Sequence, residues 1–150
     1  MSFSDTIQAL LDSKGATQVQ FVTPEQKVYE ALEKMAEFGI GAVLVLDSER
    51  LVGILSERDY ARRGILMGHA SRDTYVHQIM TSPVFYVSPQ NTVDECMALM
   101  TEHHFRHLPV VKDDVVLGVI SIGDLVKWVI AGQQAAIKEL ESYITGVYPA

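Results

Sequence analysis

One cysteine stands among the 150 residues. No internal disulfide can form, and a reducing, cytoplasmic setting is the simpler expectation. Cys96 falls on the apolar stripe of an expected helix and reads as core packing. No apolar run reaches the roughly 18 residues that a membrane helix needs. The opening MSFSDTIQALLDSKG carries Asp5 and Asp12 and no arginine, and resembles neither a secretion signal nor a transit peptide. Cations are scarce: 12 lysines and arginines face 19 acids, a formal charge of −7. The two halves, cut after residue 75, carry −3 and −4, so no basic face stands out. Neutralising phosphates with lysine and arginine is what non-specific nucleic-acid binding rests on, so nucleic acid is not an expected partner. The same balance argues against an anionic membrane surface as a partner.

Several catalytic signatures are also missing. There is no G-x-x-x-x-G-K-[ST] loop, no GxGxxG, no HExxH and no GxSxG elbow. His103, His104 and His107 cluster, and the first and last are four apart, a spacing that suits one helix face. The helix is expected to end between them, and no cysteine ligand is near, so a metal site is not expected. No enzyme is indicated.

What the chain does contain is a repeat. Residues 19–62 align with 84–127 at an offset of 65 without a gap, and 11 of the 44 positions are identical. They are Val19/Val84, Val22/Val87, Pro24/Pro89, Val28/Val93, Glu30/Glu95, Met35/Met100, Glu37/Glu102, Val45/Val110, Gly53/Gly118, Ser56/Ser121 and Asp59/Asp124.

Each copy reads as strand, helix, strand, strand, helix. The first strand is VQFV (19–22) in one copy and VFYV (84–87) in the other, each ended by a TP or SP dipeptide. In copy two Thr92 and Glu95 have capping-box spacing, and Val93, Cys96, Met97 and Met100 form an apolar face. Val28, Ala31, Leu32 and Met35 do the same in copy one. VLVL (43–46) and LVGILS (51–56) follow, then LPVV (108–111) and VVLGVIS (115–121), aliphatic runs suited to strands with little exposure. The last helix of each copy should start at Ser-x-x-Asp. Leu125, Trp128, Val129, Ile137, Leu140 and Ile144, on or near one apolar side, extend the second of these. A copy of about 45 residues buries little apolar surface alone. The expected fold class is therefore α/β (α+β): two β-α-β-β-α repeats packed about a pseudo-twofold axis. The divisions are a lead-in at 1–18, copies at 19–63 and 84–130, a connector at 64–83, and a C-terminal extension at 131–150.

GILSERD (53–59) and GVISIGD (118–124) are the candidate functional centres. Alone, Ser-x-x-Asp at a strand-to-helix junction is a cap: the hydroxyl accepts an orphan N–H, and an acid suits the first turn. Aspartate is kept in both copies, however, where glutamate is the usual box partner. The two variable positions diverge while serine and aspartate do not. A helix N-terminus offers N–H groups to phosphate, and a carboxylate there suits a neutral diol such as a ribose. Serine near a phosphate and aspartate on a ribose make a coherent nucleotide site. Arg58, Arg106 and His107 are the candidate phosphate contacts, since guanidinium forks match phosphate oxygens. Arg63 reads as a surface charge.

The arrangement resembles a pair of cystathionine-beta-synthase (CBS) domains, a Bateman module of the small stand-alone bacterial type. The matching pieces are KGATQVQFVTP, VYEALEKMAEFGIGAVLVLD and LVGILSERDYARR, then VHQIMTSPVFYVSP, TVDECMALMTEHHFRHLPVV and VLGVISIGDLV. The resemblance implies two clefts between the copies, each for an adenosine-containing ligand: AMP, ADP, ATP, NAD(H) or S-adenosylmethionine. It implies that Asp59 and Asp124 take ribose hydroxyls, beside Ser56 and Ser121, and that Arg106 and His107 take phosphate. Apolar and backbone contacts to adenine would come from Ala16, Thr17, Val19, Ile40, Gly41 and Ala42, with the Lys14-Gly15 lead-in, for one cleft. Thr81, Pro83, Val84 and Phe105 are the counterparts for the other. Arg106-His107 is matched by Gly41-Ala42, and Arg58 by Gly123, so the two sites should be unequal. The tighter, phosphate-dependent one should involve Asp59 and Arg58, with Arg106 able to serve a ligand held by the other copy. The implied function is a non-catalytic nucleotide sensor, a homodimer that signals to a regulated protein in trans. A different reading is an interaction scaffold whose ligand sites are structural or degenerate.

Overall fold

In a computed structural model the chain is described at residues 4–15 and 18–145. Helix α1 (Ile7–Lys14) is followed by β1 (Phe21–Val22), α2 (Val28–Phe38), β2 (Ala42–Asp47) and β3 (Arg50–Ser56). A single α turn, α3 (Glu57–Asp59), runs into a π turn (Tyr60–Gly64) and a 3-10 turn (Ile65–Met67). Then come α4 (Val76–Ile79), α5 (Val93–His103), β4 (His107–Lys112), β5 (Val115–Ser121) and the long α6 (Ile122–Thr145). One sheet has the order β1-β2-β3, with β1 parallel and β3 antiparallel to β2; the other is the β4-β5 hairpin. The fold is mixed α+β, built of small sheets and helices.

The described residues divide into two compact units. One takes α1, Val87–Lys112 and the described residues from Gly118 onward; the other takes Gln18–Tyr86 and Asp113–Leu117. Each has its own core. In the first, Ile7, Leu10, Val87, Val93, Cys96, Met100, Leu108, Val110, Ile120 and Leu125 are buried together. In the second, Val22, Val28, Ala31, Met35, Val43, Val45, Leu55, Val76 and Ile79 are. The apolar faces read from the sequence are the ones buried in α2 and α5. The lead-in helices are exchanged relative to sequence order: α1 precedes copy one but packs with copy two, and α4 precedes copy two but packs with copy one.

That exchange is held by backbone bonds between helix starts. The N–H of Ile7, first in α1, donates to the Asn91 carbonyl at 2.8 Å, and the N–H of Val93, first in α5, donates to Asp5 at 2.9 Å. The other unit repeats the pattern: Val28 to Thr74 at 2.8 Å and Val76 to Gln26 at 2.9 Å. All four donors belong to fully buried residues. Side chains finish the caps. Thr92 Oγ1 accepts the Glu95 N–H at 3.1 Å, as its spacing suggests, and the Lys27 N–H donates to Glu30 at 2.9 Å. The Trp128 indole donates to Asp5 at 3.0 Å and packs against the first core, while Ile137 and Leu140 are exposed.

Two expectations are corrected. VFYV is not a strand: only Val87 bridges to Val110 in parallel. The next rung would need the N–H of residue 109, which is proline. Its copy-one equivalent, Leu44, donates that N–H to Gln20 at 3.3 Å and so supports β1. The copy-one helix after Ser-x-x-Asp is not a full α-helix. Gly64 sits so close to the Tyr60 ring that a Cβ there would lie 2.7 Å from it, and the winding loosens into the π turn. Cys96 is buried; burial, with the Glu95 charge adding, pushes its thiol up to about 11, so it stays protonated at neutral pH.

α2 ends on Gly39 at φ 62°, a left-handed C-cap with nothing within 4 Å of where a Cβ would stand. Gly39→Ala should therefore cost about 1 kcal/mol through backbone strain alone. Urea unfolding of the two proteins checks this, and equal midpoints would contradict it.

Candidate functional site

In each copy the second strand of a hairpin delivers its serine in extended conformation, and the chain turns there into helix. Ser56, at φ −111° and ψ 162°, caps α3: its hydroxyl accepts the Asp59 N–H at 3.0 Å, and its own N–H donates to Asp59 Oδ2 at 2.9 Å. Ser121 and Asp124 form the same box at 3.1 and 2.9 Å. The shorter aspartate thus closes a box in which glutamate is usual. One further bond seats each junction on the neighbouring strand. The Glu57 N–H donates to the Gly41 carbonyl at 3.0 Å, and the Ile122 N–H to Arg106 at 2.9 Å. Gly41-Ala42 therefore lies beside one box and Arg106-His107 beside the other.

The third partner of each carboxylate differs. At Asp59 it is a hydroxyl: Thr81 donates to Oδ1 at 3.1 Å. Thr81 is held by a two-way backbone bridge to Ile54, at 2.8 and 3.1 Å. Arg63 Nη1 donates to the Met80 carbonyl at 3.2 Å and reaches the Thr81 hydroxyl at 3.5 Å. The close approach of this segment depends on Gly53, where a Cβ would meet Met80 Sδ at 2.5 Å and the Thr81 carbonyl at 3.2 Å. At Asp124 the third partner is an ammonium. Lys14 Nζ lies 2.9 Å from Oδ2 and 3.1 Å from the Val119 carbonyl. Burial is the largest influence on the Asp124 carboxyl and works against ionisation. The Ser121 N–H, Lys14 and the Ser121 hydroxyl together outweigh it and leave the pKa below the ordinary aspartate value.

The sequence-derived residues sort as follows. Val19, Ile40, Gly41, Ala42, Ser56, Arg58, Asp59, Thr81, Pro83 and Val84 lie in one unit; Lys14, Gly15, Phe105, Arg106, His107, Ser121, Gly123 and Asp124 lie in the other. Ala16 and Thr17 fall outside the described residues. Thr81, grouped in the sequence with Phe105, is bonded to Asp59. Ile40 and Phe105 pack against their cores, whereas Arg58, Arg106 and Pro83 are exposed. Two contacts were not read from the sequence, and Lys14, grouped there with Ile40, Gly41 and Ala42, is bonded to Asp124 instead. Arg63 is exposed, yet it ties the chain before Thr81 in place. The Lys14–Asp124 pair had one visible signal: at the 65-residue offset Lys14 is matched by Ile79, so only one copy can have it. Among the described residues no group of three or more His, Cys, Asp or Glu could hold a metal ion, and no helix is long and apolar enough to cross a membrane.

The CBS-domain family model matches twice, at residues 16–65 and 76–131, one match over each Ser-x-x-Asp box. The chain belongs to the CBS-domain family. This tandem CBS pair is similar to a solved signal-transduction protein with CBS domains from Burkholderia ambifaria. The two are 49% identical at a TM-score of 0.81, over 86% of this chain and 96% of that one. A CBS-domain protein from Agrobacterium tumefaciens is 37% identical at a TM-score of 0.77, over 82% and 98%. Among curated relatives, the CBS domain-containing protein CBSX3, mitochondrial, of Arabidopsis thaliana is 36% identical, over 97% of this chain and 74% of its own. CBS pairs are typically regulatory and non-catalytic.

Because the folded pKa of Asp124 is lowered, its ionised form contributes stability above the unfolded value near 4, about where free aspartates titrate. That contribution is lost as pH falls through the lower folded value. Lys14→Met removes part of the cause. The stability gap between wild type and variant, at most about 1 kcal/mol for a pair this exposed, should be widest near neutral pH and shrink at pH 3. Urea unfolding at pH 7 and pH 3 reads it; a gap unchanged with pH would contradict the assignment.

Proposed function

We propose that this CBS pair is a non-catalytic sensor of adenosine-containing ligands. The observation that carries the reading is the pair of Ser-x-x-Asp boxes, each presenting a pre-oriented carboxylate at a helix start. Asp59 and Asp124 would accept from ribose hydroxyls. Arg58 would serve phosphate at the first box, and Arg106 and His107, next to the second, would supply cationic or donor groups to phosphate. Ile40, Gly41 and Ala42, with Val19 before β1, Pro83 and Val84 after α4, and Phe105 before β4, offer apolar and backbone surface for adenine. AMP, ADP and ATP head the candidate ligands, followed by NAD(H) and S-adenosylmethionine. The remaining parts of the proposal are a homodimer, a cytoplasmic setting and a regulated protein acting in trans. Ligand would shift that partner's equilibrium by no more than its differential affinity for the two states.

The different third partners of Asp59 and Asp124 support two unequal sites. The test is a thermal-shift titration of nucleotide-free protein with AMP, ATP, NADH and S-adenosylmethionine. A true ligand at 100 times its Kd adds about 2.7 kcal/mol of stability per site. Asp59→Asn and Asp124→Asn should lose that gain to different extents for the same ligand. A melting curve that none of the four moves would overturn the sensor reading.

A further inference from the structure

The Lys14–Asp124 pair leaves one donor and one acceptor uncommitted, side by side. An ammonium has three N–H donors and no acceptor. Lys14 gives one to the Val119 carbonyl and one to Asp124 Oδ2. The third has no partner among the described residues. Both protein bonds to the carboxylate, from Lys14 and from the Ser121 N–H, fall on Oδ2. Oδ1 has no partner among the described residues. The pair is only partly exposed, 32% for the lysine side chain and 22% for the aspartate.

An acceptor and a donor on either side of one short ion pair match a particular group. A phosphate would suit Nζ but be repelled by Oδ1; an amine would suit Oδ1 but be repelled by Nζ. A vicinal diol suits both, since each hydroxyl can donate once and accept. One hydroxyl donates to Oδ1 while its neighbour accepts from Nζ. The pair is already neutral, so a neutral diol adds no uncompensated charge to a half-buried place. Copy one has no such arrangement. Lys14 is matched there by Ile79, so no ammonium stands beside Asp59, whose third partner is the Thr81 hydroxyl.

We infer that Lys14 is a specificity-determining residue of the Asp124 site, donating to one ribose hydroxyl while Asp124 accepts from the other. The inference rests on the nucleotide reading above and deepens it: this site reads the intact 2′,3′-diol and rejects deoxyribose, through the lysine as well as the aspartate.

The experiment is isothermal titration of AMP, 2′-deoxy-AMP and 3′-deoxy-AMP into nucleotide-free protein. The proteins are wild type, Asp59→Asn, and Asp59→Asn combined with Lys14→Met or Lys14→Arg. Circular dichroism melts show that each is folded. With Asp59→Asn, AMP should bind at least tenfold tighter than either deoxy analogue. Adding Lys14→Met should weaken AMP about tenfold to a hundredfold, the range for losing a hydrogen bond from a charged donor, and bring the preference towards unity. Lys14→Arg, which keeps charge and donors, should retain most of both. If Lys14→Met binds AMP as tightly or more tightly with the preference intact, the inference is overturned while the sensor reading stands. If wild type binds none of the three nucleotides, nor ATP or NADH, both fall together.

Discussion

Four helices of this protein begin inside hydrophobic cores, and the first N–H of each must find an acceptor there. A buried amide left unpaired costs on the order of 1–3 kcal/mol, so four such starts are untenable without a remedy. The remedy is reciprocity. Each start uses the carbonyl just before its partner's cap, so α1 and α5 satisfy one another, as do α2 and α4. Much follows from this. It decides which lead-in helix joins which core, it places Lys14 within reach of Asp124, and it brings Met80 and Thr81 against β3.

The two Ser-x-x-Asp boxes meet the same need at the surface, with side chains in place of carbonyls. Their common geometry leaves the difference between them to what arrives from outside the box. Thr81 comes from the segment after α4 and Lys14 from the end of α1. The third group at the carboxylate is a neutral hydroxyl in one box and an ammonium in the other.

Much of this was legible in the sequence. The offset of 65 fixed the equivalences, the i, i+3, i+4, i+7 faces of α2 and α5 are the buried ones, and both hairpins lie where the aliphatic runs put them. The strand expected at VFYV is absent because of one proline across the ladder, a pairing that no local pattern displays. The π turn after Asp59 coincides with the close approach of Tyr60 to Gly64, which hydrophobic periodicity does not display. Arg58 against Gly123, inside the motif, led to the expectation of unequal sites. The structure adds a second difference outside it, in the Lys14–Asp124 contact, because an ion pair between residues 110 apart leaves no trace at short spacing.

The exchanged lead-in helices also bear on the order in which the protein is made. The core of copy one closes with Val76 and Ile79, so it can form once synthesis has passed Ile79. The other core needs Ile7 and Leu10 together with Leu108, Ile120 and Leu125. Helix α1, made before copy one, is thus buried only after copy two has followed it. Until then it has an apolar face and no partner, a period in which a nascent chain is open to chaperones or to another copy of itself.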